Sequence, residues 1–274
     1  MHKIHVSYMT LSPLCHGGFD GADTGNAVVI RREPVVSLPG MPRIPCLSGN
    51  SIRGQVRRHI MRALFRAAGL GVGELPGRQW DLLYGALANG GHLTGTEKSP
   101  SPDGVRALRA ELPPLSVLGA ALYRYMIPGR ARFGWAWPIC RETVEGGLCT
   151  TGDGPLLPSG DIVTEVGVVR HIDRDQQDPE QTGVTPMPVT VEAIATGVEL
   201  QQTIHLSREA TAVEVGALAW GLSELEHLGG KSAGGLGAVR VIHDGDAAPY
   251  AAWLDDVGPD TLRARLVALA ETLS

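Results

Sequence analysis

The sequence predicts an α+β fold, and three stretches predict it. Residues 44–66, IPCLSGNSIRGQVRRHIMRALFR, pass from an extended proline-containing run through a small polar turn into a helix, whose apolar face recurs at Ile52, Val56, Ile60 and Leu64. Residues 210–228 have apolar spacing near the helical period and run into a glycine-rich turn and a final strand. Residues 2–10, HKIHVSYMT, and residues 191–207 have the alternation and β-branched content of strands.

Along the chain, the first strand gives way to a Gly/Asp-rich loop, LCHGGFDGADTG at 14–25. AVVIRREPVVSL returns to β propensity and is broken at Pro34. Ser48, Gly49, Asn50 and Ser51 supply N-cap chemistry for the first helix. Residues 69–112 read as an inserted, partly helical lobe, with RQWDLLYGAL helical and GGHLTGTEKSPSPDG loose. The stretch LPPLSVLGAALYRYMIPGRARFGWAWPICRET reads as a short apolar helix, a turn at Pro128-Gly129 and a strand. Phe133, Trp135 and Trp137 sit on that strand at period 2, a stripe that reads as a sheet face packed on the core in preference to a base-stacking platform.

Residues 161–190 form a polar, hairpin-like excursion, and residues 191–207 two strand segments around Thr196-Gly197. A second helix, the glycine loop, a last strand and a helical tail over 244–274 complete the chain. The order β–(β)–α–insert–β–hairpin–β–α–β fits a ferredoxin-like or RRM-like core with large excursions; the alternation alone also permits other α+β folds, and the motifs decide between them.

Composition sets bounds on function. Hydrophobic residues at 43% and charged ones at 19% describe a globular protein, and 36 glycines with 19 prolines point to turns rather than a helix bundle. No run approaches the ~18 consecutive apolar residues of a membrane span, and MHKIHVSYMTL has neither the apolar core nor the cleavage site of a signal peptide. A cytoplasmic, non-membrane protein is expected. Cys15, Cys46, Cys140 and Cys149 form no CxxC and read as buried free thiols, so no metal or other cofactor is expected.

The charge is unevenly placed. The net charge is -5, yet between Pro34 and Gly73 there is no acidic residue and there are six arginines: Arg43, Arg53, Arg57, Arg58, Arg62 and Arg66. One basic groove on a chain with an acidic tail calls for an anionic partner, a phosphate backbone first. Arg53 and Arg57 stand in the first turns of the helix, where cations are unfavourable unless an anion sits there. Arg58, Arg62 and Arg66 have a second reading as a solvated face. GGKSAGGLG at 229–237 resembles a phosphate loop, but the Walker spacing needs a glycine at 225, which is Leu, and the segment runs from helix to strand. Nucleotide hydrolysis there is disfavoured. A turn that admits a nucleic-acid backbone, with Lys231 on phosphate, is preferred to glycines that only serve a tight turn.

These motifs resemble a known family. IPCLSGNSIRGQVRR is similar to the signature I-P-x-S-S-(L/I)-(K/R)-G-x-(L/V)-R of the RAMP superfamily of CRISPR-associated proteins, RRM-like proteins that hold a guide RNA. GGKSAGGLG resembles the family's glycine loop before its last strand. Ile172-Asp173-Arg174, followed by Glu192, Ile194, Gly197 and Leu200, resembles the thumb and its return. PLSVLGAALYRYMIPGRARFGWAWP is a weaker fourth match. The resemblance covers most of 1–60 and 113–241 and is to guide-binding backbone subunits of multisubunit effectors, type IV foremost and type III-like second.

The resemblance implies a palm (about 1–68, 113–160 and 191–243), an inserted lobe (69–112), a β-hairpin thumb (161–190) and a tail. It implies RNA contacts from Ser48, Asn50, Ser51, Arg53, Arg57, Arg58, Arg170, His171, Arg174, Met187, Lys231 and Ser232, with Met187 and Pro188 as wedge residues between guide bases. The implied partners are guide RNA (crRNA), copies of the chain in a head-to-tail filament, other CRISPR effector subunits, and target DNA or RNA through guide pairing. Target-cutting type III subunits carry an Asp five residues before an Arg. Here Asn26 holds that position counted from Arg31, and Asn is neither an anionic metal ligand nor a base. A non-cutting subunit is therefore expected, the alternative being a metal-dependent endoribonuclease that uses Asp23.

Overall fold

The structure, a computed structural model, describes residues 2–17, 27–93, 101–123, 125–151, 154–169 and 188–273. Strand β1 (His2–Thr10) buries Ile4, Val6, Tyr8 and Thr10 and turns Lys3 and His5 outward, the alternation its sequence carries. The short strands β2 (Ala27–Val28), β3 (Arg32–Pro34) and β4 (Arg43–Pro45) lead to helix α1 (Gly49–Ala67). Ser48 caps α1, its hydroxyl accepting the Ser51 N–H at 3.3 Å. Helix α2 (Gln79–Ala88), β5 (Gly91–Leu93), α3 (Pro102–Glu111) and α4 (Pro113–Leu118) follow.

Next come β6 (Ala120–Tyr123), β7 (Tyr125–Ile127), β8 (Ala131–Phe133), β9 (Trp137–Pro138) and α5 (Arg141–Glu145). The chain continues through β10 (Val163–Val169), β11 (Pro188–Ile194), β12 (Glu199–Leu206), α6 (Ala212–Ser223) and β13 (Val239–His243). It ends in α7 (Ala248–Leu273), interrupted at Gly258-Pro259.

The central sheet runs β13-β1-β12-β8, with β9 beyond β8 on the same edge of β12, and every pairing is antiparallel. The path β1–α1–β8–β12–α6–β13 through that order is the ferredoxin-like arrangement, as expected. Helices α1 and α6 cover one face. Thr211 and Glu214 form a reciprocal capping box at the start of α6. Gly221 lets α6 lie close on α1, since a Cβ there would fall 2.5 Å from Ile60 Cδ1. A buried polar chain crosses the sheet, from the Tyr8 hydroxyl to Gln202 Oε1 at 2.6 Å and from Gln202 Nε2 to the Gly134 carbonyl at 2.7 Å.

The inserted stretch does not stand apart. Leu83, Ala86 and Leu87 of α2 are buried in the main core, and Trp80 and Tyr84 pack on Phe65 of α1 with centroids 5.2 and 5.8 Å apart. Only α3 has no buried residue within that stretch's helices. The short apolar helix expected before Pro128-Gly129 stops at Gly119, whose φ is +71°, and Ala120–Tyr123 and Tyr125–Ile127 instead form the β6–β7 pair.

The aromatic stripe also divides. The strand is interrupted between β8 and β9, where the Gly134 N–H reaches the Thr203 carbonyl at 3.2 Å. Phe133 therefore packs on the main core beside Ile204, whereas Trp137, on the opposite face beside Gln201, packs against a second cluster of Val35, Ile44, Cys140 and Ile162. An unbroken strand would have kept both on one face.

A second sheet, β10-β11-β2, holds the arms of the expected thumb; its tip, 170–187, lies outside the described residues. Glu192 on β11 accepts both Arg32 guanidinium nitrogens at 2.8 and 3.2 Å and the Ile30 N–H at 3.1 Å. These bonds, Arg32's first, hold its carboxyl below the usual range although burial pulls the other way. A lowered folded pKa gives stability that is present above the ordinary glutamate range and lost as pH falls through the folded value. The wild-type urea midpoint should thus drop more steeply than that of Glu192→Gln between about pH 5 and pH 3. Parallel curves would show that the pair contributes nothing.

All four cysteines are free and buried, and burial raises their thiol pKa values, that of Cys46 to about 12. No helix among the described residues is long and apolar enough to cross a membrane.

Candidate nucleic-acid interface

Helix α1 presents two basic sides. On one, Gln55, Arg58, His59 and Arg62 line a groove of about 230 Å³ whose other wall is Glu226, His227, Gly229 and Ser232. The two walls are tied together by Gln55 Nε2, which donates to the Gly229 carbonyl at 3.2 Å. The groove thus unites two motifs that lie more than 160 residues apart in sequence. Lys231 stands exposed between Gly229 and Ser232, in a left-handed conformation with φ +62°. Arg58 and Arg62 line the groove and make no hydrogen bond or ion pair among the described residues, while Lys231 is exposed on the adjoining turn. Burial lowers the pKa of His59, with Glu224 opposing and Arg62 and Arg58 adding to the shift, which keeps it neutral at physiological pH.

On the other side of α1 the sequence expectation needs correction. Arg57 is 4% exposed, and its guanidinium donates to the Gly119 carbonyl at 2.6 Å and the Leu118 carbonyl at 2.9 Å. It serves the fold. The carbonyl end of α4 presents the partial negative charge that offsets its position in α1, so no phosphate is needed to explain it. Arg53 also donates to the Leu118 carbonyl. Half-buried, with its Nε buried and unpartnered, Arg53 looks into a second cavity shared with Asn50, Gly129, Arg132 and Phe133.

Ser48 is occupied at both ends, its hydroxyl capping α1 and its N–H donating to His16 Nε2 at 3.3 Å. Ser51 is half-buried in the first turn. Arg62, for which the sequence leaves a solvated face and an anion contact both open, is exposed and lines the groove. Arg170, His171, Arg174 and Met187, with Asp23 and Asn26, lie outside the described residues.

The sequence reading missed a third basic cluster. Arg109, Arg130, Arg132, Arg208 and His205 surround a cavity of about 390 Å³ at the β8 edge. Arg130, just before β8, and Arg132 on it stand two residues apart, a signal that was legible. Arg109 and Arg208 come from distant segments and were not.

The chain thus combines a ferredoxin-like sheet, a second sheet that holds the hairpin arms, and a basic groove between the first helix and a glycine loop. Solved structures make the likeness particular. A chain of a Type IV-B CRISPR complex is similar over 89% of this chain and 90% of its own, with a TM-score of 0.63 and 19% identity. At that identity the likeness is one of fold. Csc2 of Thermofilum pendens (14% identity, 97% of this chain and 80% of that one, TM-score 0.44) and a chain of the Type III-B Cmr-beta complex bound to cognate target RNA (15%, 89% and 60%, 0.46) are more remote. No protein-family model and no curated protein matches the chain.

Proposed function

We propose that the chain is a guide-RNA-holding backbone subunit of a CRISPR effector ribonucleoprotein, of the type IV kind, without nuclease activity of its own. The observation that carries the reading is the groove in which Arg58 and Arg62 face the Lys231-Ser232 turn, on a fold shared with a type IV-B complex chain. The groove grips phosphate rather than reading sequence, and base pairing supplies specificity. Copies assemble head-to-tail along the guide beside other effector subunits, and the exposed carboxylates of Asp255, Asp256 and Asp260 on α7 keep the protein's remaining surface from binding RNA indiscriminately.

Single-stranded RNA should bind the purified protein with an affinity that falls steeply with salt. Replacing Arg58, Arg62 and Lys231 together by Ala should weaken binding roughly 50-fold at physiological salt and lessen the slope of log K against log salt by about 2, since each phosphate contact on a single strand contributes ~0.7. An unchanged slope removes the groove from the interface. The guide-loaded protein should hold a complementary strand in Mg²⁺ and leave it whole. Cutting at regular intervals, abolished by Asp23→Ala, would replace the non-cutting assignment with a metal-dependent endoribonuclease.

A further inference from the structure

We propose that the β8 edge of the palm carries a second phosphodiester-binding site, built from Arg109, Arg130, Arg132 and Arg208, that takes the backbone of a single-stranded nucleic acid. It rests on the nucleic-acid reading above but uses none of the groove residues.

Two of its arginines are fixed and two are free. Arg109 donates to the Ser116 hydroxyl and the Pro128 carbonyl, both at 2.8 Å. Arg130 is held by the buried Glu214 carboxylate at 2.9 Å and by the Glu209 backbone carbonyl. Arg132 and Arg208 are exposed and make no hydrogen bond or ion pair among the described residues. They open onto the same cavity as the anchored pair, together with His205, whose buried Nδ1 has no partner. Four guanidinium groups face two carboxylates there, Glu214 and Glu209, so the pocket keeps a positive excess in a chain of net charge -5.

The neighbouring surface selects the ligand class. The cavity shares Gly129 and Arg132 with a second one of about 320 Å³, lined by Asn50, Arg53, Ala131 and Phe133. The track therefore runs from the first turn of α1 across the β8 edge. Guanidinium forks match phosphate oxygens, and a run of cations along a continuous track is the footprint of a nucleic-acid backbone.

The test measures a fluorescein-labelled single-stranded RNA by anisotropy across a salt series, against wild type, Arg132→Ala with Arg208→Ala, and the groove triple variant side by side. Because Arg132 and Arg208 hold nothing in the fold, thermal unfolding of the double variant should match wild type. Its salt slope should lessen by about 1.4 and its affinity fall roughly 15-fold, with Lys at both positions restoring most of the slope. Loss with the single strand alone assigns the site to the strand bound directly; loss only after a complementary strand is added assigns it to the second strand, and both support the site. No loss in either case overturns it, as does loss of self-association with RNA binding intact. A wild type that binds no RNA overturns this site and the groove together. A groove variant with an unchanged slope beside a patch variant with a reduced one removes the groove and leaves this site standing.

Discussion

Arg57→Ala should lower the stability of the fold by about 3 kcal/mol, the sum expected for two charge-assisted hydrogen bonds and the cavity left behind. The side chain is 4% exposed and bridges α1 to the turn after α4, with its nitrogens 2.6 and 2.9 Å from the Gly119 and Leu118 carbonyls. Burial first, and the neighbouring Arg53 charge second, lower its pKa to about 10, which still leaves it protonated at neutral pH. Removing it strands the Gly119 carbonyl away from water and leaves the Leu118 carbonyl to Arg53 alone, a costlier outcome than losing a surface charge. Arg57→Lys keeps the charge but cannot span both acceptors, so its urea midpoint should fall between those of wild type and Ala. Arg58→Ala, one residue further on, should leave the midpoint unmoved and act on RNA affinity alone. If the two alanine variants behave alike in unfolding, Arg57 is not the buried strut described above and returns to the list of phosphate contacts.

That contrast marks where sequence reading stops. The helix itself was legible, because Ser48, the fourfold apolar spacing and the Pro-containing approach are local signals that agree with one another. Which of its arginines meets solvent was not. Arg57 and Arg58 differ only through residues 118 and 119, and nothing near position 57 announces a helix end packed against it. The α+β class was legible from the helix and strand periods along the chain, but the ferredoxin-like order came from the family resemblance, and the break at Gly134 that divides the aromatic stripe between two clusters was not legible. The glycine loop was recognised as a turn and paired with α1 only by resemblance. The physical link, Gln55 to the Gly229 carbonyl, is a tertiary contact.

Gly229→Ala should damage both the fold and the groove, at a cost of about 3 kcal/mol. Its φ of +77° costs an L-residue roughly 1–2 kcal/mol, and the new Cβ would fall 2.1 Å from the Cys15 carbonyl oxygen, which is backbone and cannot swing aside. The segment must retreat, and with it goes the hydrogen bond from the Gly230 N–H to that same oxygen at 2.8 Å, about 1 kcal/mol more. Retreat also pulls the Gly229 carbonyl from Gln55, so Lys231 and Ser232 leave the α1 wall and the groove widens. RNA affinity should then fall further than Lys231→Ala alone explains. Gly230 and Gly234 supply the control: a Cβ at either meets nothing within 4 Å and neither has a positive φ, so Ala there should shift stability by less than ~0.5 kcal/mol. Urea unfolding and RNA anisotropy on the three alanine variants separate the cases. If Gly229→Ala unfolds and binds like Gly234→Ala, the loop is not seated on Cys15, and the groove between α1 and the glycine turn loses the contact that shapes it.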